Sequence, residues 1–131
     1  MDRRIINPWT WQDNFGYVQA NEVGGGQQVL YCAGQGSVDD DGTLVNEGDM
    51  QAQLLQALDN LETVLREGGF ELSDVVRLNY YTTDVDRFFE AYGTAAARLA
   101  ESGCRPASTL LGVARLAFPE LLVEIEATAV A

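Results

Sequence analysis

The C-terminal segment Leu122-Val-Glu-Ile-Glu-Ala-Thr-Ala-Val130 decides the fold, because apolar and polar residues alternate along its length. A period of two that is rich in β-branched residues is typical of a strand with one buried face, and not of a helix. We therefore predict a strand whose apolar row faces a core and whose polar row faces away. The apolar row is Val123, Ile125, Ala127 and Ala129, and the polar row is Glu124, Glu126 and Thr128.

Two carboxylates share the polar row of this strand. Glu124 and Glu126 are two residues apart, which separates them by about 6–7 Å at the rise of a β-strand. A solvated sheet edge would accommodate such a pair, since charged side chains are mostly exposed. A cleft that uses a carboxyl group for proton transfer would give one of them a chemical role. The sequence leaves both interpretations open.

The residues before this strand predict a second strand and two helices. Arg105 to Leu116 indicate the penultimate strand, and Val75 to Thr82 indicate another by their β-branched and aromatic content. Leucines at helical spacing predict a first helix from about Gly48 to Glu67. A second helix is predicted to begin at Thr83-Asp84 and to end at Gly103. Its apolar side is predicted to carry Val85, Phe88, Phe89, Tyr92, Ala96 and Leu99.

The N-terminal part predicts an irregular arm and a hairpin. Residues Ile5 to Phe15 carry Trp9 and Trp11, and these aromatic residues either pin the arm to the surface or wall a pocket. Residues 16–23 and 27–33 are predicted to pair as a β-hairpin through the triple glycine at 24–26. A minor strand is possible at 42–45.

The resulting order, β-β-α-β-α-β-β, predicts one α+β domain spanning residues 1–131. Each helix must lay its apolar stripe on a sheet, which gives a sandwich with two helices on one face of a mixed sheet. The other face would then be open. We expect Leu110, Ala114 and Leu116 to lie there and to be covered by a partner.

Composition excludes several classes of function. The formal net charge is −12, and the chain has neither His nor Lys. Triad catalysis and Schiff-base chemistry are therefore excluded, and a zinc site is disfavoured. Nucleic-acid binding is disfavoured because it depends on clustered Lys and Arg. We expect no metal and no cofactor.

The cysteines and the absence of a long apolar run indicate a cytoplasmic protein. Cys32 and Cys104 are too far apart in sequence for a redox motif, so we expect two reduced, packed thiols. No segment has the length and apolarity of a signal peptide or a membrane span. No membrane partner is expected.

Several short motifs, in matching order, resemble the RidA/YjgF family. They are Gly16-Tyr-Val-Gln-Ala20, Ala33-Gly-Gln35, Val113-Ala-Arg-Leu116 and the ending Glu124-Ile-Glu-Ala-Thr-Ala-Val130. Members of that family are small trimers, and many hydrolyse reactive enamines and imines. The resemblance implies a chorismate-mutase-like (YjgF-type) fold and a homotrimer with three small-molecule clefts between its subunits.

The resemblance also implies a site with one residue replaced. In deaminase members an Arg on the penultimate strand clamps the substrate carboxylate, as a guanidinium does well. Pro106-Ala107 fix the register, and Ser108 stands at the position of that Arg. Arg105 lies three residues earlier, on the opposite face of a strand, so we do not expect it to substitute.

The remaining site residues follow from the same resemblance. Glu124 matches the Glu that positions or activates water, and Tyr17 matches an aromatic residue beside the cleft. Gly34 would let its backbone approach a ligand closely, although ordinary turn chemistry explains it equally well. Tyr92 replaces a small polar residue and would reshape the pocket.

Two functions are compatible with this pattern. The first is an enamine or imine hydrolase that acts on a substrate without a carboxylate, with Glu124 and Tyr17 as catalytic residues. Ser108, Gly34 and Tyr92 would then bind the substrate. The second is a non-catalytic or regulatory trimer that binds a small molecule in the same clefts. A purely structural trimer is the remaining alternative.

Overall fold

The computed structural model describes residues 2–25 and 28–131, and its main layer is a four-stranded mixed sheet. In this part of the chain the strands are β1 (Asp2–Ile6), β2 (Ala20–Gly24), β3 (Val29–Tyr31), β4 (Val75–Thr82), β5 (Ala107–Gly112) and β6 (Val123–Val130), and the helices are α1 (Met50–Glu67) and α2 (Val85–Glu101). The sheet order is β3-β6-β4-β5, with β4 and β5 parallel and the other pairs antiparallel. The predicted α+β class is confirmed.

β6 is an inner strand of this sheet, between β3 and β4. Val123, Ile125 and Ala129 on it have no exposed surface, whereas Glu124 and Glu126 are half-buried on the other face. The predicted alternation is therefore confirmed. The solvated-edge interpretation of the two carboxylates is wrong, because hydrogen-bonded neighbours flank this strand on both sides.

Both helices begin at an aspartate that caps the first turn. The Asp49 carboxylate accepts a hydrogen bond from the backbone N–H of Ala52 at 3.0 Å. Asp84 does the same for Arg87 at 3.1 Å, as the sequence predicted for the second helix. The first helix begins at Met50, two residues later than predicted, because the cap residue itself has extended backbone.

The core lies between the helices and one face of the sheet. Leu54, Leu58 and Leu61 of α1 and Phe88 of α2 are buried against β4 and β6. At the helix surface Arg98 forms ion pairs with Asp59 and Glu62 at 2.7 and 3.2 Å. Ion pairs near the surface add little to the free energy of unfolding. Burial of the leucine stripe therefore supplies most of the packing free energy.

The predicted hairpin of residues 16–23 and 27–33 is wrong. β2 pairs antiparallel with β1, and β3 pairs with β6; Gly26 and Gln27 of the connection lie outside the described residues. The arm predicted from Ile5 is irregular only after β1. Two polar side chains explain the rearrangement, because Arg3 and Asn21 anchor β1 and β2 to the main sheet instead.

The anchoring contacts are backbone carbonyls at the start of β4 and just before β5. The Arg3 guanidinium donates to the carbonyls of Ser73 at 2.9 Å and Arg105 at 2.7 Å. Asn21 donates to the carbonyl of Val76 at 2.8 Å, and its oxygen accepts from Arg3 at 3.0 Å. The two-stranded sheet is thereby fixed against the four-stranded one.

The open face of the sheet also differs from the prediction. Leu110 packs against the helix-side core, and Ala114 and Leu116 lie beyond the end of β5. The possible strand at 42–45 is reduced to a single bridge between Val38 and Leu44. The centre of the open face is instead polar, and its residues are Asn79, Tyr81, Glu124, Glu126 and Thr128. The margins of this face are apolar, and their residues are Val29, Tyr31 and Leu111.

Within the described residues, no helix combines the length and the apolarity that crossing a membrane requires.

Ile125→Asp is expected to prevent folding. The substitution removes about 1.5–3 kcal/mol of burial free energy and places an unpaired charge in the core. Ile125→Val is the control, and it should fold with a loss of about 0.5–1.5 kcal/mol. Circular dichroism and urea denaturation would measure both. A cooperatively melting Ile125→Asp variant would show that the buried row is assigned to the wrong face.

Candidate functional site

An aromatic cleft of about 270 Å³ opens where α2, β4, β5 and the N-terminal arm (residues 7–19) meet. None of the described residues that line it is charged. They are Trp11, Phe15, Tyr17, Tyr80, Phe88, Phe89, Tyr92, Ser108 and Leu110.

Pairing of β4 with β5 turns Ser108 and Leu110 into this cleft. Ser108 lies opposite Leu78 and Leu110 lies opposite Tyr80. Since Leu78 and Tyr80 are buried on the helix side, their neighbours on β5 face the same side. β5 is the outermost strand of the sheet, so this side is only partly covered.

The floor of the cleft is built from α2. Phe88 and Tyr92 are four residues apart and therefore share one face of the helix. Their rings stack with centroids 5.3 Å apart and an interplanar angle of 28°. Phe89 is adjacent to Phe88, so it points outward along the rim and is 51% exposed.

The N-terminal arm closes the third side. Its backbone is attached to the strand by the hydrogen bond from the N–H of Val18 to the carbonyl of Pro106, at 3.0 Å. The Tyr92 hydroxyl donates to the carbonyl of Phe15 at 2.8 Å. Gly16 follows with a φ of +73°, a conformation that glycine adopts without strain.

The two interpretations of the arm aromatics apply to different residues. Trp11 and Phe15 line the cleft, although they remain 58% and 47% exposed. Trp9 stacks on Trp11 at 6.4 Å from outside the cleft. Tyr17 meets Trp11 edge-on, with centroids 6.5 Å apart. The arm therefore contributes three aromatic walls and one supporting ring.

Tyr80 places a buried hydroxyl at the back of the cleft. Among the described residues this hydroxyl has no hydrogen-bond partner. Burial raises the pKa of Tyr80 well above its ordinary value, and the neighbouring Tyr92 raises that pKa further without forming a hydrogen bond of ordinary geometry. An unsatisfied buried hydroxyl carries a desolvation cost of about 1–3 kcal/mol, which a bound ligand could relieve.

Glu124 and Gly34 lie on the opposite, open face of the sheet. A Cβ at Gly34 would come within 2.1 Å of a Glu124 carboxylate oxygen, so the absence of a side chain makes room for that carboxylate. The five predicted site residues are thus divided within one chain. Tyr17, Tyr92 and Ser108 meet in the cleft, while Glu124 and Gly34 meet behind it.

The two carboxylates of β6 are in different situations. Glu126 accepts hydrogen bonds from the Tyr81 hydroxyl and from the Asn79 side-chain amide. The hydrogen bond to Glu126 is the main reason that the pKa of Tyr81 is raised. Glu124 accepts no hydrogen bond from the described residues, which leaves both of its oxygens available. Of the two carboxylates, the one without a hydrogen bond in the described part of the chain is thus Glu124, to which the resemblance gives a chemical role.

Arg105 lies in a neighbouring groove rather than in the cleft. That groove shares Tyr17 with the cleft and is otherwise lined by the arm, α2 and the segment before β5. Cys104, beside it, is buried, and burial raises the pKa of its thiol to about 12. Cys32 is buried as well, and both cysteines are free. Across residues 2–25 and 28–131, no cluster of His, Cys, Asp or Glu could hold a metal ion.

The sequence did not predict a site role for Phe15, Tyr80, Phe88, Phe89 or Leu110, all of which line the cleft. The periodicity of α2 placed Phe88, Phe89 and Tyr92 together on an apolar side. Two consecutive aromatic residues cannot share one helix face, and this was the signal that one of them faces elsewhere. Tyr80 gave no such signal, since it occupies an ordinary inward position of its strand.

Comparisons with known proteins agree with this architecture. A family model described as Endoribonuclease L-PSP matches residues 13–131. A RutC family protein of Pyrococcus horikoshii is 33% identical over 113 residues, which are 86% of this chain and 85% of that protein. Two solved structures extend the likeness to three dimensions.

The first solved structure is a protein of unknown function from Yersinia pestis, assigned in its description to the conserved Rid family as YyfB. It has a TM-score of 0.88 and 38% identity, and the match covers 100% of both chains. The YjgF gene product of E. coli gives a TM-score of 0.71 at 30% identity, with 87% of each chain covered.

Removal of the Tyr80 hydroxyl is expected not to destabilise the protein. Tyr80→Phe should leave the free energy of unfolding unchanged or raise it by up to about 1 kcal/mol, because a partnerless buried group is lost. The control is Tyr81→Phe, which loses the hydrogen bond to Glu126 and should be less stable by about 0.5–1.5 kcal/mol. Urea denaturation at one protein concentration would measure both. A clearly lower free energy of unfolding in Tyr80→Phe would mean that the Tyr80 hydroxyl has a hydrogen-bond partner.

Proposed function

The chain belongs to the RidA/YjgF family, whose chorismate-mutase-like fold it has, and from this premise we propose that it is an enamine or imine hydrolase acting on substrates without a carboxylate. Its sites would be clefts between the subunits of a homotrimer. The observation that carries the proposal is the aromatic cleft with Ser108, and no Arg, at the position of the family clamp.

The division of the site residues supports a cleft between subunits. Glu124 and Ser108 lie on opposite faces of the same sheet, so one chain cannot bring them to one substrate. A second copy whose open face contacts the cleft would supply a Glu124 and a Gly34. The same contact would cover Trp11 and Phe89, which are half-exposed in the single chain and are typical of an interface.

The lining of the cleft supports the choice of substrate. A bidentate guanidinium supplies two charged parallel donors, whereas Ser108 supplies one neutral hydroxyl. Loss of a charge-assisted pair costs about 2–5 kcal/mol of binding. Arg105 does not compensate, because it lies in the neighbouring groove. A carboxylate would therefore enter an uncharged aromatic cleft without a counter-charge.

In the proposed reaction Glu124 activates water. The carboxylate accepts a proton while the water oxygen attacks the carbon of the C=N bond. The proton passes from the carboxyl group to nitrogen, which gives a carbinolamine. The hydroxyl proton of the carbinolamine then moves to its amino group, the C–N bond breaks, and a carbonyl compound and ammonia leave. The unbonded oxygens of Glu124 suit this role. Tyr17 and Ser108 would supply hydrogen bonds that orient the substrate.

Glu124 should be required for hydrolysis and Glu126 should not. The assay generates imines in situ, one series from simple amines and one from amino acids, and follows their loss. The wild type and Glu126→Gln should hydrolyse the amine-derived imines. Glu124→Gln should hydrolyse them at least about a hundredfold more slowly, as expected when a positioned acid-base group is lost. The wild type should act poorly on 2-imino acids, and Ser108→Arg should improve that activity.

Three outcomes would separate the alternatives. Wild-type activity on 2-imino acids equal to that of an Arg-bearing relative would contradict the substrate assignment. Ligand binding without any Glu124-dependent hydrolysis would favour the non-catalytic binding trimer. A stable monomer in light scattering at micromolar concentration would remove the basis for a cleft between subunits.

Tight RNA binding is not expected, whatever activity the description of the family model names. The chain carries 20 acidic residues against 8 arginines and has no Lys, so the phosphate backbone would be repelled. Fluorescence anisotropy with generic single-stranded RNA at low and at physiological salt would measure this. A salt-sensitive affinity below micromolar would refute the expectation.

A further inference from the structure

We infer that the aromatic cleft selects a positively charged organic group, such as an alkylammonium or an iminium ion, by contact with its ring faces. The inference rests on the proposed function in one respect: the cleft must be the ligand site. It goes further in naming the charge of the ligand.

The orientation of the rings makes the cleft a box. The interplanar angle is 86° between Tyr80 and Tyr92 and 74° between Trp11 and Tyr17, whereas Phe88 and Tyr92 stack at 28°. Phe89 meets Phe88 at 75° at the rim. We expect a group in this space to contact rings of more than one orientation. Aromatic faces carry negative electrostatic potential and attract cations, with Trp and Tyr contributing most.

The polar atoms in the cleft are compatible with a cation. Ser108 and Tyr17 carry hydroxyl groups, which accept hydrogen bonds as well as donate them. The Tyr80 hydroxyl has no partner among the described residues, and an N–H donor of the ligand would satisfy it. An anion would gain hydroxyl donors only, with no positive charge to balance its own.

The net charge of the whole chain also favours a cationic ligand. A net charge of −12 raises the local concentration of cations around the protein and lowers that of anions. The lining that the described residues of one chain supply is uncharged, so this field steers the ligand while the rings hold it. In the proposed trimer, Glu124 of a second copy would add a negative charge that also favours a cation. A neutral apolar ligand would fill the same space but would gain from neither effect.

The test uses two probes of the same shape. Choline and 3,3-dimethylbutan-1-ol differ only in a quaternary nitrogen in place of a quaternary carbon. Isothermal titration calorimetry with the full chain at low salt should give choline an affinity about tenfold or more above that of the alcohol. Trp11→Leu, which keeps apolar bulk but removes a ring face, should reduce choline affinity several-fold.

The control variant is Phe118→Leu, which changes an exposed aromatic residue that does not line the cleft and should leave choline affinity unchanged. Equal affinities for the two probes, both reduced by Trp11→Leu, would overturn the inference and leave the cleft standing as a ligand site. Absence of choline binding at millimolar concentration would also overturn it. The Glu124-dependent imine assay would then decide the proposed function separately.

Discussion

The structure depends on the two-sided use of β6. Its backbone is hydrogen-bonded to β3 on one side and to β4 on the other, and the N–H groups of Cys32 and Gln35 extend the pairing beyond β3. One row of its side chains is buried beneath the helices, and the other row carries Glu124 and Glu126. A slip of one residue would exchange the two rows. The register of this strand therefore sets both the core and the position of the free carboxylate.

The parts of the fold that the sequence predicted are those that local patterns determine. The alternation of β6, the leucine stripe of α1 and the Asp84 cap each depend on residues a few positions apart. The pairing of β1 with β2 does not. Arg3 reaches carbonyls 70 to 102 residues further along the chain, and no local pattern announces such a contact. Adjacency and a glycine-rich connection favoured the wrong hairpin.

The candidate site was predictable to a similar extent. The resemblance predicted Tyr17, Ser108 and Tyr92 as site residues, and all three line one cleft; their roles there stay predictions. It could not indicate that Glu124 lies behind that cleft, since strand alternation fixes the face only relative to neighbours on the same strand. The face of Leu110 was also missed, because β5 reads Ala107-Ser-Thr-Leu-Leu-Gly112 and lacks a clear alternation.

The Arg3 contacts have a consequence for the order of folding. Arg3 is synthesised 102 residues before Arg105, whose carbonyl it binds. Closing a loop of this length costs conformational entropy, and this cost must be met before the contact between the two residues can form. We therefore expect the N-terminal strand to dock last, after the helices and β4 have assembled. The arm aromatics would join the cleft only in that final step.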